Sequence, residues 1–356
     1  MIKLDTDSNE LDTESIFETL RENLKKVPSK YYADILYESV GRTRIDKNGR
    51  QSGGIITCPK KRGFVFRVFN GERFTEISDN NSRRLSSHIE KSLSYLESRP
   101  KIELQRIPAQ KKDISIPQKI NFDEVEISEK INKIHQIEDL IYNMDKSVKD
   151  CYINYQDRLT KKIFLSNEGT ELRQVIPRTQ ISIQPIVSLE GKKNYDYKLF
   201  SIEGGWELFD NINTEELAAL VNNAKEICLA PECELGGEWP VILDPSVAGL
   251  IAHSSIGHAL EADQFIRERS FLKKHYKYKV ASECVNISDS PLIKGIYGSY
   301  VFDDEGILSK KTELIKDGVL NCLLHNRITA SLLEEEPHGN GRRQSFLNPV
   351  YPRMSN

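Results

Sequence analysis

The sequence predicts an α+β protein, on three observations. An amphipathic helix near the N-terminus precedes strand-like runs joined at Asn70-Gly71, a strong hairpin signal. A middle block consists of successive strand-like runs separated by glycine-containing turns. A third block begins with a helix that carries two histidines and continues into a hairpin around Lys316-Asp317-Gly318. Together these blocks favour the α+β class.

Composition and periodicity divide the 356-residue chain into domains. We expect a small N-terminal α+β domain over residues 1–98. A linker is expected over residues 99–128, which carry three prolines and many charges without any period. A β-rich middle domain is expected over residues 129–235. Residues 236–356 should form a β-rich C-terminal domain that is led by the histidine-bearing helix.

The elements of the first domain follow from apolar periodicity. A single apolar stripe predicts a helix from Asp12 to Val27, and Pro28 ends it. Alternating and β-branched runs predict the strands that follow. These strands cover residues 33–40, 55–58, 63–69 and 74–77, and the next helix carries Leu85, Ile89, Leu93 and Leu96.

The middle block and the start of the last block are assigned in the same way. A helix includes Ile131 to Met144, and Asn213 is placed to cap a later helix with Glu216 as its capping-box partner. Val241 to Leu243 reads as a short buried strand, and Pro245 stands at the first turn of the histidine helix. The strand-like runs of the middle block cover residues 151–155, 162–165, 179–189 and 195–202.

Bulk properties exclude several classes of function. Lysine and arginine number 50 and aspartate and glutamate 53, so the formal net charge is −3 and no nucleic-acid or membrane partner is expected. The N-terminus lacks the apolar core of a signal peptide, and no stretch approaches the ~18 apolar residues of a membrane span. The six scattered cysteines are expected to be free thiols. These properties predict a cytoplasmic protein.

His253 and His258 are the pair most able to carry chemistry. They are five positions apart on one predicted helix, so at ~100° per residue a regular α-helix would turn the rings about 140° apart. A single turn widened to i→i+5 hydrogen bonding would bring them together, and Gly257 should lower the cost of that distortion. On the pattern alone, one core histidine and one surface histidine is the alternative interpretation.

The surrounding residues resemble the TldD/PmbA family. Active members of that family carry HExxxH in the frame HE-x-x-G-H-A-L-E-x-D, of which this chain keeps His253, Gly257 to Glu261, and Asp263. Other stretches fit the same family in the same order along the chain. They are Pro240 to Pro245, Asp303 to Gly306, Gly339 to Arg343, Pro352 to Met354, Ser166 to Glu171 and Gly204 to Glu207.

The resemblance implies a zinc-dependent peptidase that acts on unfolded or ribosomally made peptides. It also implies a two-subunit assembly, either a homodimer or a heterodimer with a PmbA-like partner. His253 and His258 would be zinc ligands, and Glu261 and Asp263 would support them from outside the ligand set. The peptide is expected to bind as an added strand through its backbone.

The resemblance also assigns a substrate-binding stretch. Gly339, Asn340, Gly341, Arg342 and Arg343 would line the cleft, where arginine can pair with peptide carbonyls or a terminal carboxylate. Taken without the family frame, the same stretch is a turn followed by a solvated arginine pair.

Two departures from the family pattern bear on activity. Ser254 occupies the position of the family's general-base glutamate, and a hydroxyl cannot accept a proton near neutral pH as a carboxylate does. The family's cysteine ligand would lie beyond Asn356, so the C-terminal domain is expected to be incomplete. Besides a peptidase subunit, the sequence therefore leaves open a catalytically silent partner subunit or a gene fragment without a function of its own.

Overall fold

The computed structural model describes residues 13–49, 55–94, 96, 102–234 and 236–356, and it has the predicted α+β architecture. The helices are α1 Thr13–Leu24, α2 Leu85–Ser94, α3 Ile127–Met144, α4 Thr214–Leu229, α5 Pro245–Ile251, α6 Ala262–Ile266 and α7 Arg327–Leu333. The strands are β1 Tyr32–Asn48, β2 Ile55–Thr57, β3 Lys60–Phe69, β4 Phe74–Asp79, β5 Lys111–Ser115, β6 Val148–Ser166, β7 Glu171–Leu189, β8 Lys192–Tyr195, β9 Lys198–Ile202, β10 Ile287–Asp289, β11 Thr312–Lys316, β12 Val319–Leu320, β13 Gly341–Arg342 and β14 Tyr351–Pro352.

One nine-stranded sheet runs through the N-terminal and middle segments. Its main order is β4-β3-β1-β6-β7-β5, with β2 added to β1 and with β8 and β9 added to β7. The join between the two segments is the antiparallel pairing of β1 with β6, from Asp34 opposite Ser166 to Asn48 opposite Tyr152. The two segments therefore share a continuous hydrogen-bonded sheet.

Helices cover this sheet in two groups. Helix α1 buries Phe17 and Leu20 against the core that includes Phe66 of β3. Helices α3 and α4 bury a second set of apolar side chains, with Ile141 and Leu220 among them, against β6 and β7. Burying a side chain of this kind contributes about 1.5–3 kcal/mol, so the stripes that predict the helices also hold them on the sheet.

The C-terminal segment has its own smaller core and two small sheets. Leu260, Phe265 and Leu324 are buried in that core, beside the three-stranded sheet β10-β11-β12. Strands β13 and β14 pair separately, with Gly341 opposite Pro352. No helix in the part of the chain that the structure describes is long and apolar enough to cross a bilayer.

Most predicted elements are present, many of them longer than predicted. Two predicted runs of the middle block belong to the single strand β6. The first helix was predicted to begin at Asp12, which lies outside the described residues. In the structure α1 ends at Leu24 instead of at the predicted Val27. The Asn213 side chain caps α4 by accepting a hydrogen bond from the Glu216 backbone, as predicted. The Glu216 carboxylate, however, accepts a hydrogen bond from Lys198 instead of completing a capping box.

Two segments differ from their predicted structure. Strand β5 lies inside the segment predicted as a linker and pairs in parallel with β7. The prediction of a buried strand from Val241 to Leu243 is wrong, because these residues form no strand and Ile242 is fully exposed. A β-branched apolar run can form a strand only where another strand pairs with it, and within the described ranges no strand does so here.

Candidate functional site

The histidine helix begins with a well-formed N-terminal cap. The Asp244 carboxylate accepts hydrogen bonds from the Ser246 and Val247 backbone nitrogens, at 2.7 and 3.0 Å from Oδ1. Pro245 occupies the first turn, where its missing N–H costs nothing. These residues fix the start of α5, whose continuation carries both histidines.

The helix then widens into a single π-type turn from Ala252 to Gly257. The His253 and His258 ring centroids lie 4.8 Å apart, with their planes at 73°. The i→i+5 turn thus brings the two imidazoles together, as expected for a widened turn at this spacing, and both residues are exposed, which excludes the alternative of one core and one surface histidine. Widened turns of this kind are frequent at functional sites.

Gly257 serves a different purpose from the predicted one. Its φ and ψ angles, −57° and −50°, are those of an ordinary helix, so no special backbone freedom is used. A Cβ at this position would overlap the Met354 sulfur. Gly257 therefore permits the close approach of Met354 to the histidine turn.

A buried carboxylate joins His258 to Arg353, for which the sequence predicts no role. Glu261 Oε1 lies 3.1 Å from His258 Nδ1, and Glu261 Oε2 lies 2.6 Å from Arg353 Nη1. Glu261 is only 2% exposed. Burial raises the pKa of the Glu261 carboxyl, and the Arg353 and His258 contacts oppose that rise without cancelling it.

Asp263 is also buried but does not share these contacts. Its Oδ2 accepts a hydrogen bond from Gln264 Nε2 at 3.1 Å, while its Oδ1 is buried without a hydrogen-bond partner among the described residues. Burial raises the pKa of the Asp263 carboxyl. The structure thus brings Glu261, and not Asp263, into contact with the histidine pair.

An open cleft of about 700 Å³ lies beside His258. Ser254 is exposed in this cleft, and a serine hydroxyl offers a hydrogen bond but no proton-accepting carboxylate. The cleft is lined by Ser254, Ser255, His258, Ala259, Glu261, Gln264, Arg269, Ser270, Phe271 and Arg353.

The histidine pair fits two positions of a zinc site. Two imidazole nitrogens on a tetrahedral zinc lie about 3.3 Å apart, because each Zn–N bond is about 2.0–2.1 Å. Rings whose centroids are 4.8 Å apart can reach that arrangement. Within the described part of the chain, no group of three or more His, Cys, Asp or Glu side chains is arranged to hold a metal ion. The described residues therefore supply half of a tetrahedral ligand set.

The predicted substrate-binding stretch does not line the histidine cleft. Gly339 has a φ of +88°, which favours glycine, and Asn340 is completely buried. The Asn340 amide donates hydrogen bonds to Asp289 Oδ2 at 2.8 Å and to the Arg353 carbonyl at 3.0 Å. The Gly341 backbone nitrogen donates to Asp303 Oδ2 at 2.8 Å.

The two arginines of this stretch are also engaged inside the chain. Arg342 donates to the Met354 carbonyl at 2.9 Å. Arg343 is buried and forms a bidentate ion pair with Glu76 of β4, at 2.9 and 2.8 Å. The two arginines therefore do not form a solvated pair. Their contact with substrate stays a prediction.

Family profiles match the two C-terminal segments of the chain. The profile described as the PmbA/TldA metallopeptidase central domain matches residues 120–230, and the profile described as the C-terminal domain of the same metallopeptidases matches residues 236–356. A metalloprotease of Methanocaldococcus jannaschii is 36% identical over 239 residues, or 67% of this chain. A zinc metalloprotease TldD homolog of Saccharolobus solfataricus is 30% identical over 337 residues, or 91% of this chain.

The chain spans 52% of the length of the Methanocaldococcus protein and 71% of the Saccharolobus protein. Two solved structures share the fold at low sequence identity. TldE from Thermococcus kodakarensis has a TM-score of 0.72 at 15% identity over 96% of this chain and 76% of its own. A Thermotoga maritima protein described as a candidate modulator of a DNA gyrase has a TM-score of 0.78 at 18% identity, over 94% of this chain and 76% of its own.

Proposed function

Because this chain belongs to the PmbA/TldD family of metallopeptidases, we propose that it is a TldD-like zinc metallopeptidase subunit that acts on unfolded or ribosomally made peptides. The observation that supports this most directly is the π-type turn, which brings His253 and His258 to a ring separation of 4.8 Å beside an open cleft.

In this proposal His253 and His258 hold a zinc ion, and the remaining ligands come from outside the described residues. The zinc would supply a polarised water or carbonyl group. Glu261 Oε1 lies 3.1 Å from His258 Nδ1, and a hydrogen bond donated by Nδ1 to this carboxylate would leave Nε2 unprotonated and able to bind the ion. Ser254 stands where the family carries its general base, and loss of such a base costs about 10²–10⁴-fold in rate.

The substrate is proposed to lie extended in the cleft beside His258. Ser254, Ser255 and Gln264 offer hydrogen bonds there, and such groups can bind a peptide backbone without selecting its side chains. This supports a preference for unstructured peptides over a particular sequence.

We further propose that the chain works as a cytoplasmic homodimer or as a heterodimer with a PmbA-like subunit. An exposed apolar stretch, here called the apolar strap, leads directly to the histidine turn and would be covered by such a partner. The strap consists of Trp239, Val241, Ile242, Leu243, Val247, Leu250 and Ile251, all exposed.

Zinc content tests the proposal. The purified chain should retain weakly bound zinc after dialysis, and a His253→Ala/His258→Ala variant should lose it, because two imidazoles are all that the described residues contribute. The matched control is His135→Ala, which removes a half-buried histidine on α3, far along the chain from the histidine pair. Equal zinc in the wild type and the double variant would mean that the pair does not hold the metal.

A catalytically silent partner subunit is the second candidate, and Ser254 favours it. A chain with paired imidazoles but no adjacent carboxylate could still shape a chamber for an active subunit. A Ser254→Glu variant that restores the carboxylate at this position distinguishes the two functions.

A further inference from the structure

We propose that the segment Pro352–Met354 is a clamp that sets the geometry of the histidine pair, with Arg353 as a positioning residue for His258. The clamp has two contacts: Arg353 acts on His258 through Glu261, and Met354 packs against Gly257. This inference rests on the proposed zinc-binding role of His253 and His258.

The first contact orients the His258 ring and selects which ring nitrogen carries the proton. Glu261 Oε1 lies 3.1 Å from His258 Nδ1, and a carboxylate paired with an arginine accepts hydrogen bonds, so the contact favours the tautomer with the proton on Nδ1. The other ring nitrogen, Nε2, is then unprotonated and able to bind a divalent cation. Arg353 Nη1, 2.6 Å from the other Glu261 oxygen, holds the buried carboxylate turned toward His258.

The second contact fixes the backbone that carries both rings. Met354 lies so close to Gly257 that no larger residue would fit without displacing the thioether. Gly257 is the last residue of the π-type turn and immediately precedes His258. Met354 therefore packs against the turn at the point where its shape determines the direction of the second imidazole.

The clamp itself is rigidly anchored. The Arg353 backbone nitrogen donates to the Asn340 carbonyl at 2.8 Å, and the Asn340 amide donates to the Arg353 carbonyl at 3.0 Å. Arg342 donates to the Met354 carbonyl at 2.9 Å. The residues predicted to bind substrate thus support the clamp, because they hold its backbone on both sides of Arg353.

Backbone hydrogen bonds to Leu324 also hold the two residues that flank Glu261. The Ala262 backbone nitrogen donates to the Leu324 carbonyl at 2.9 Å, and the Leu324 nitrogen donates to the Leu260 carbonyl at 2.9 Å. Glu261 is therefore held by its backbone against Leu324 and by its side chain against Arg353. Orienting groups of this kind typically contribute 10–100-fold to metal affinity.

The test compares Arg353→Met, which keeps an unbranched apolar side chain but removes the guanidinium, with Arg269→Met. Arg269 lines the same cleft, and its side chain forms no ion pair among the described residues. The first measurement is the His258 tautomer in the metal-free chain, from ¹⁵N NMR at about pH 8.5, where imidazoles are ordinarily neutral. We expect the Nδ1–H form in the wild type and in Arg269→Met, and a mixture of tautomers in Arg353→Met.

The second measurement is zinc affinity by competition with a chelator. Arg353→Met should bind zinc about 10–100-fold more weakly than the wild type, Arg353→Lys should recover part of the loss, and Arg269→Met should be unchanged. If Arg353→Met fails to fold, Arg353→Lys provides the comparison, because it keeps the charge but loses the planar geometry. A wild-type tautomer and affinity in a folded Arg353 variant would overturn the clamp. Equal zinc in the wild type and the double histidine variant would instead overturn the proposed function, while the tautomer would still decide the clamp.

Discussion

Arg67 and Glu305 form a buried ion pair across 238 positions of sequence, with Arg67 Nη1 2.6 Å from Glu305 Oε1. The same guanidinium also pairs with Asp34 of β1 through its other nitrogens. Burial alone would lower the pKa of Arg67, but the Asp34 and Glu305 charges outweigh it and the pKa is raised. One arginine on β3 therefore fastens the large sheet to the segment that carries the histidine turn.

Removal of this arginine should strongly destabilise the fold. Arg67→Met would leave the Asp34 and Glu305 carboxylates buried without their cation, which typically costs about 3–5 kcal/mol in the free energy of unfolding. Urea denaturation measures the change. The control is Arg84→Met, whose exposed guanidinium lies 3.7 Å from Asp79 and should change stability by less than about 1 kcal/mol. Equal effects of the two substitutions would contradict this account of the interface.

Two adjacent buried acids should affect stability in opposite directions as pH changes. Burial raises the pKa of Asp303, and the neighbouring Glu305 charge raises it further. Burial also acts to raise the pKa of Asp304, but its ion pair with Lys162 outweighs burial and the pKa is lowered. Unfolded aspartate has a pKa of about 3.9, which is the common reference for both residues.

The sign of each contribution follows from proton linkage. Asp304 stabilises the folded state above pH ~3.9, and this stabilisation is lost as pH falls through its lowered folded pKa. The Asp303 contribution is present below pH ~3.9 and is lost as pH rises through its raised folded pKa. Asp304→Asn should therefore flatten the acid side of the curve of unfolding free energy against pH, and Asp303→Asn should flatten the region above ~3.9. Identical pH curves for the wild type and both variants would refute the assignment.

Gly306 should tolerate no side chain. Its φ is +73°, and a Cβ there would overlap the buried ring of Phe164 on β6. We expect Gly306→Ala to cost about 2–5 kcal/mol, the sum of about 1–2 for the left-handed backbone and about 1–3 for overpacking. Gly191→Ala isolates the backbone effect, because Gly191 has a φ of +79° and open space around it, so its cost should be only about 1–2 kcal/mol. Thermal unfolding of both variants checks the difference.

Local patterns predicted the elements whose causes are local. The five-residue spacing of His253 and His258 indicated that only a widened turn could bring both rings to one side, and the structure contains such a turn. The Asp317-Gly318 turn was predictable because an Asp-Gly pair readily adopts the positive φ angles of a two-residue hairpin turn. Both residues have positive φ angles in the structure, between β11 and β12.

Contacts between distant segments were not predictable from the same patterns. Glu261 contacts Arg353, which is 92 positions away in the sequence, and Arg343 contacts Glu76, which is 267 positions away. No periodic pattern in the sequence connects either pair. Strand β5 was also not predicted. No residue of this edge strand is fully buried, so its sequence lacks the apolar alternation that indicates a strand. The run from Val241 to Leu243 was predicted wrongly for a related reason: its composition shows strand propensity, but pairing requires a partner strand.

A substitution in the apolar strap tests whether the run from Val241 to Leu243 is exposed or forms a buried strand. Ile242 is fully exposed, so Ile242→Lys should leave the unfolding free energy within about 0.5 kcal/mol of the wild type and should reduce self-association. A buried strand residue would lose several kcal/mol on the same change. Ile183→Lys, in the core of β7, is the control that should unfold the chain. Urea denaturation and light scattering measure the two effects, and a severely destabilised Ile242→Lys would show that the strap is packed.

A substitution at Ser254 distinguishes a peptidase subunit from a catalytically silent partner subunit. It is exposed at the cleft beside His258, so a glutamate fits there without burial of its charge. Ser254→Glu restores the general base of the family frame, yet in this chain it should remain almost inactive, because a base without firmly held zinc has no activated water to act on. Ser255→Glu places the same charge one residue away in the same cleft and is the matched control.

Joining Ser254→Glu to the C-terminal segment of an active family member should give cleavage of unstructured peptides that a chelator abolishes. The joined Ser255→Glu protein should stay inactive, because its carboxylate is not adjacent to His253 and cannot take the position of the family base. Peptide cleavage by the unmodified chain, lost in His258→Ala, would contradict this account and make Glu261 the first alternative base. An inactive joined Ser254→Glu protein that still binds zinc would favour the silent partner, because the carboxylate and a firmly held zinc ion would then both be present without hydrolysis.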